Sequence, residues 1–201
     1  LVIPLMRGEP GTKVKLGVLR NNSMIYFEIT REIIKINPVT YKVMESNIGY
    51  IRIQNFNANT SSYFKEALKS FDAAGIKKII IDVRYNPGGS LSQVIEVAKN
   101  FVPNKGPIVH IEYKEPEKKE TYYSNLDQNK YEVVVLVNEG SASASEILAG
   151  AIQDSKAGKI IGVKSFGKGT VQTVLPLKVG GAIKLTIAKY LTPNGTAIDG
   201  D

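Results

Sequence analysis

The chain has 201 residues, with 26 lysines and arginines against 19 acidic residues for a net charge of +7, and no cysteine. That length allows one full domain plus a fragment. The lack of cysteine excludes disulfides, thiolate metal sites and a thiol nucleophile but leaves the compartment open. No apolar run approaches the ~20 residues of a membrane span, and the first residues lack a signal-peptide pattern, so any targeting element was cut off or never existed. The positive charge is scattered. Its densest patch, Lys114 to Glu120, mixes both signs around Pro116 and reads as a solvated loop. No zinc-finger, RNP or helix-turn-helix signature accompanies it, which argues against a nucleic-acid partner.

Residues 1–30 read as β structure around Arg7-Gly8-Glu9-Pro10-Gly11-Thr12, with alternation in Lys13 to Leu16 and Met24 to Ile29 and a turn at Asn21-Asn22-Ser23. Residues 31–46, with Pro38 inside, look like an extended connector, and a strand from Ile48 to Ile53 opens the main domain at residue 47. Thr60 to Ala74 carries Phe64, Leu68 and Phe71 at helical spacing and ends at Gly75. A buried strand at Lys77 to Arg84 then stops at Asn86-Pro87-Gly88-Gly89. A helix with Val94, Val97, Ala98 and Phe101 inward follows, then strands at Ile108 to Tyr113, Thr121 to Tyr123 and Tyr131 to Val137. After a further helix come strands at Lys159 to Val163, Thr170 to Leu177 and Ala182 to Leu191. The alternation predicts an α/β core with a mostly buried sheet over residues 47–201.

Between the strand ending at Val137 and the helix carrying Ile147, Leu148, Ala151 and Ile152 lies Asn138-Glu139-Gly140-Ser141-Ala142-Ser143-Ala144-Ser145. A serine in such a turn sits beside unpaired N–H groups and the positive end of the helix dipole, which would stabilise an oxyanion. A Ser-rich N-cap explains the same residues structurally. The sole histidine, His110, falls inside an alternating strand and is a poor triad member. The remaining base type is lysine. To accept a proton near pH 7 a lysine must be neutral against an ordinary pKa of ~10.4, which costs roughly 4.6 kcal/mol and calls for a buried, apolar setting. Lys168, in Ser165-Phe166-Gly167-Lys168-Gly169-Thr170, has small and apolar neighbours. Residues Gly162 to Lys168 also match G-x-x-x-x-G-K, but Gly169 stands where a phosphate loop needs Ser or Thr, and a strand pattern follows instead of a helix.

Asn86-Pro87-Gly88-Gly89, Gly140 to Glu146, and Phe166-Gly167-Lys168-Gly169 followed by Val171-Gln172 together resemble the C-terminal processing, or tail-specific, serine proteases. Residues 1–30 are similar to the last part of that family's PDZ domain, and Leu191 to Gly195 fits a strand end of the family. The resemblance implies a crotonase/Clp-protease-like α/β core with a mixed sheet and flanking helices over 47–201, preceded by a partial PDZ-like fragment. It implies that Ser143 is the nucleophile, Lys168 the general base and Gln172 the amide that orients it. The oxyanion hole would use the N–H of Ala144 and one from the glycine turn, Gly89 in preference to Gly88. The implied activity is endopeptidase cleavage of protein substrates with nonpolar C-termini, through an acyl-enzyme and without metal or cofactor. An extracytoplasmic setting, at or near the membrane, and self-association follow from the same resemblance. The chain would then begin partway into the PDZ domain and stop short of a C-terminal segment. Ser141 and Ser145 remain nucleophile candidates only if the resemblance is rejected. A crotonase-type acyl-CoA enzyme and a non-catalytic peptide-binding scaffold are the alternative readings.

Overall fold

The structure, a computed structural model, describes residues 3–33, 37–115, 117–178 and 180–199. Leu1, Val2, residues 34–36 of the expected connector, Pro116 of the charged loop, Val179, Gly200 and Asp201 lie outside them. The chain divides into two compact units, residues 1–36 and 37–201.

In the first unit a single helical turn, α1 (Ile3–Met6), precedes strands β1 (Lys13–Arg20) and β2 (Ser23–Thr30). They pair antiparallel from Lys13↔Thr30 to Arg20↔Ser23, which leaves Asn21 and Asn22 as a two-residue turn. Both have positive φ, 49° and 58°, the backbone that a tight hairpin turn requires and that Asn tolerates. Ser23, expected in the turn, is instead the first paired residue of β2. The Arg31 guanidinium donates to the Met6 carbonyl at 2.8 Å and the Thr12 hydroxyl at 2.9 Å, tying the Arg7 to Thr12 turn to the far end of the hairpin.

The second unit opens with a departure from expectation. Within the predicted connector, Val39–Met44 is a strand, β3, paired antiparallel with β4 (Ile48–Ile53) from Val39↔Ile53 to Met44↔Ile48. Val39, Tyr41 and Val43 alternate as a strand does, and Pro38 precedes the first paired residue, so its missing N–H breaks no ladder bond. The chain then alternates through α2 (Thr60–Ala73), β5 (Lys78–Asp82), α3 (Leu91–Ala98), β6 (Pro107–Tyr113), β7 (Lys119–Tyr123), β8 (Glu132–Val137), α4 (Ala144–Asp154), β9 (Gly158–Gly162), β10 (Thr170–Pro176) and β11 (Ala182–Leu191). A five-stranded sheet runs β3-β4-β5-β8-β9, parallel except for β3, and a four-stranded antiparallel sheet runs β10-β11-β6-β7. This is the mixed α/β architecture expected.

Helix packing follows the apolar spacing. Phe64, Leu68 and Phe71 of α2, Val94 and Val97 of α3, and Leu148 and Ile152 of α4 are buried in one core with Ile51, Ile79, Ile81, Val133 and Val135 of the sheet. Each fully buried side chain of this size contributes roughly 2 kcal/mol. Helix α2 ends in a left-handed residue, Gly75 (φ 70°), with Ile76 N–H donating to the Phe71 carbonyl at 2.9 Å and Gly75 N–H to Asp72 at 3.0 Å, a Schellman arrangement. Phe101, expected on α3, is buried just beyond that helix's last residue. Strands β5 and β8 are adjacent and parallel, with Asp82 opposite Leu136, so the turns that follow them meet at one edge of the sheet. In open α/β sheets, sites form beyond such C-terminal strand ends.

Candidate active site

Three serines share the turn after β8, and their surroundings separate them. Ser141 is buried; its hydroxyl donates to the Val83 carbonyl at 2.8 Å and accepts from Asn138 N–H at 2.9 Å. Ser145 is also buried and donates to the Asn86 carbonyl at 2.9 Å. Both hydroxyls hold the turn to the loop after β5. Ser143 is half-buried and immediately precedes α4, with φ 55° and ψ −112°. A side-chain-bearing residue in such a backbone costs about 1–3 kcal/mol and persists only where surrounding bonds impose it. Here Ser143 N–H donates to Glu146 Oε2 at 2.7 Å, and the Ser143 carbonyl accepts from Ile147 N–H at 3.0 Å. The Ser143 hydroxyl is therefore presented at the positive end of a helix.

Two asparagines organise the facing loop. Buried Asn86 donates through Nδ2 to the Ile53 carbonyl at 2.9 Å, accepts Gly88 N–H on Oδ1 at 2.9 Å, and accepts Ala142 N–H on its carbonyl at 3.0 Å. Asn138 Oδ1 accepts from Tyr85 N–H at 2.8 Å and Gly140 N–H at 3.1 Å. Gly88, at φ 99°, lies so near the nucleophile turn that a Cβ would fall 2.7 Å from the Ala142 carbonyl oxygen and 2.8 Å from Ser143 Cβ. Gly88 N–H is already engaged by Asn86. Gly89 is bracketed by Phe56 N–H donating to the Gly88 carbonyl at 2.9 Å and Ser90 N–H donating to the Phe56 carbonyl at 2.7 Å. Among the described residues the N–H groups of Gly89 and Ala144 carry no such bond, which leaves them available to an oxyanion.

The lysine loop reaches the same place through a residue to which sequence reasoning gave no role. Glu146, buried on the first turn of α4, accepts on Oε1 from the Ser165 hydroxyl at 2.7 Å and Gly167 N–H at 2.5 Å. Its Oε2 accepts from Lys168 N–H at 2.9 Å as well as from Ser143 N–H. One carboxylate thus gathers the backbones of both dyad candidates. The signal was present, since Glu146 closes the Ala-Ser-Glu run, but an acid at the third position of a helix reads as an N-terminal cap. Phe166 N–H donates to the Ser141 carbonyl at 3.0 Å, and the Gly169 carbonyl accepts from Tyr190 N–H at 2.7 Å.

The enclosed setting expected for Lys168 is not found in this chain: the side chain is exposed, as are its neighbours Phe166 and Val163. The loop is fixed mainly through its backbone and the Ser165 hydroxyl, and the flanking apolar groups face outward. Among the described residues no hydrogen bond joins Ser143 Oγ to Lys168 Nζ. Among the described residues no hydrogen bond joins Gln172 to Lys168; the Gln172 amide nitrogen donates to Thr186 Oγ1 at 3.4 Å, beside an irregularity in the β10–β11 register at Val171/Gln172. His110 lies in β6 with Nε2 3.1 Å from the Pro193 carbonyl, which requires Nε2–H to donate, and Nδ1 2.7 Å from the Thr121 hydroxyl. Both nitrogens are engaged structurally, in keeping with the strand reading. Behind the glycine turn, buried Asp82 accepts from Tyr50 hydroxyl at 2.6 Å and from Arg84 Nη2 at 2.8 Å and Nε at 3.0 Å. Burial raises its carboxyl pKa, but the Arg84 and Tyr50 hydrogen bonds outweigh burial and hold it below the usual carboxylate range.

A serine at a strained helix start, a glycine turn facing it and a lysine loop share one end of an α/β core, with the serine and lysine backbones on a common carboxylate. The profile of peptidase family S41 matches residues 47–201, and the chain belongs to that family. It is 41% identical over 203 residues to the carboxy-terminal-processing protease of Bartonella bacilliformis, covering 97% of this chain and 46% of that protein. It is likewise 41% identical over 199 residues to the carboxy-terminal processing protease CtpB of Bacillus subtilis, covering 96% and 41%. Among solved structures, the photosystem II D1 C-terminal processing protease superposes with a TM-score of 0.72 at 32% identity, over 96% of this chain and 54% of the other. The chain spans less than half the length of the two curated relatives named.

Proposed function

We propose that residues 47–201 form the catalytic core of a serine endopeptidase that uses Ser143 and Lys168. The observation that carries this reading is Ser143 at the start of α4 with its N–H on the same Glu146 carboxylate that secures the Lys168 loop. Neutral Lys168 takes the Ser143 proton as Oγ attacks a peptide carbonyl, and the oxyanion is received by Ala144 and Gly89 N–H. The departing amine takes the proton, and water then hydrolyses the acyl-enzyme. A bound peptide covers the exposed lysine and excludes water from the reacting atoms. Gln172 orients the amine in that covered state.

By the family resemblance, residues 1–30 are the last strands of a PDZ-like domain, the substrates are proteins with nonpolar C-termini, the protein self-associates, and it works outside the cytoplasm. Among the described residues no helix is long and apolar enough to cross a membrane. The test is labelling of the full-length protein with a small phosphonylating reagent, together with hydrolysis of peptides ending in nonpolar residues. Ser143 is expected to be the labelled residue, and Ser143→Ala or Lys168→Ala to lower hydrolysis by about a thousandfold or more. Hydrolysis undiminished in Ser143→Ala refutes the assignment.

A further inference from the structure

Tyr85 stands where its side chain is costly. It lies in the turn from Val83 to Asn86, closed by Asn86 N–H donating to the Val83 carbonyl at 3.2 Å, and has φ 57°. A positive φ at the third position of such a turn is the place of Gly or Asn, because a bulky Cβ crowds the backbone there. The conformation is imposed from the neighbouring loop, where Asn138 Oδ1 accepts Tyr85 N–H at 2.8 Å. The ring rests on Gly140, where a Cβ would lie 2.8 Å from Tyr85 Cδ1 and 2.9 Å from its Cα. Glycine at 140 thus makes room for the aromatic. Yet the ring is not core: Tyr85 is 67% exposed. The strained turn adds no burial that would explain it, while the two loops that touch Tyr85 lead to Gly89 on one side and Ser143 on the other.

We infer that Tyr85 is a substrate-contacting residue whose exposed ring face seats a nonpolar side chain of the bound peptide. This rests on the peptidase reading above. A ring backed by glycine and held between two anchored loops loses little freedom on binding, and one aromatic contact of this kind changes affinity by about threefold to tenfold.

The test compares Tyr85→Asn and Tyr85→Phe with the parent in the full-length protein. Asn adopts the left-handed backbone readily, so Tyr85→Asn is expected to raise the thermal midpoint by about a few degrees while raising KM for nonpolar peptides about threefold to tenfold at similar kcat. Tyr85→Phe should keep the parent KM. Labelling of Ser143 by the small reagent, which cannot reach the ring, should be the same in all three proteins. Peptide affinity is also measured in the Ser143→Ala background, so the contact is read without turnover. Unlabelled Ser143 in the parent would refute the peptidase reading, whereas normal labelling with an unchanged KM and affinity in Tyr85→Asn overturns the role of Tyr85 alone. A Tyr85→Phe loss equal to that of Tyr85→Asn would place the contact on the hydroxyl and overturn the apolar seat.

Discussion

In the turn from Asn138 to Glu146 the side chains of Asn138, Ser141, Ser145 and Glu146 are all buried and all hydrogen-bonded, whereas in the loop from Ser165 to Gly169 the attachments run mainly through backbone groups and Phe166 is 65% exposed. The first loop carries Ser143, the proposed nucleophile, and the second Lys168, the proposed base. A nucleophile turn that must also place amides at an oxyanion profits from rigidity, because preorganised dipoles need no rearrangement during reaction. A loop held through its backbone can keep its path while its side chains wait for a covering substrate. Glu146 is the exception that joins the two, a single side chain on which both loops depend.

The largest effect is expected from breaking that joint. Glu146→Ala leaves the N–H groups of Ser143, Gly167 and Lys168 and the Ser165 hydroxyl without their acceptor. It should cost about 3 kcal/mol or more in chemical denaturation and speed amide hydrogen exchange at Gly167 and Lys168. An unchanged denaturation midpoint with protected amides would show that the lysine loop is held by something else.

Acid should loosen the support behind the glycine turn. Because the folded Asp82 pKa lies below its unfolded value, the stabilisation is complete above the unfolded value of ~3.9 and is lost as pH falls through the folded pKa. Thermal midpoints should therefore decline below about pH 4, and Asp82→Asn should flatten that decline. Asp72, also lowered despite burial by its bonds with Lys130 and Tyr131, and Glu96, lowered by its bonds with Lys99 and Lys65, contribute to the part that survives the substitution. The smallest effect is expected at the exposed loop side chain: Phe166→Ala should alter stability by no more than about 0.5 kcal/mol. A much larger loss there would mean that the lysine loop is packed as firmly as the nucleophile turn.

Much of this layout was readable from residue order. Apolar periodicity marked α2, α4 and the parallel strands within a few residues, since spacing along a helix or strand directly reports which face is buried. It missed β3, whose apolar alternation was masked by Pro38 and neighbouring charges and becomes a strand only by pairing with β4. The resemblance to tail-specific proteases singled out Ser143 and Lys168, and family membership agrees with the class of protein it indicated.

Local order by itself determined that this chain is an α/β domain with a serine-bearing turn, a glycine turn and a lysine loop, because turn chemistry and hydrophobic period are properties of neighbouring residues. Tertiary structure decided which hydroxyls are tied to the facing loop. Ser141 and Ser145 are withdrawn by carbonyls of Val83 and Asn86, on a loop far away in sequence, and no spacing rule reports such bonds. It also decided that Glu146 joins the two loops, that among the described residues Gly88 N–H is engaged while that of Gly89 is not, and that Tyr85 stays strained and outward. Each of these depends on polar groups meeting across separate strand ends, where the fold, and not the local sequence, sets the distance.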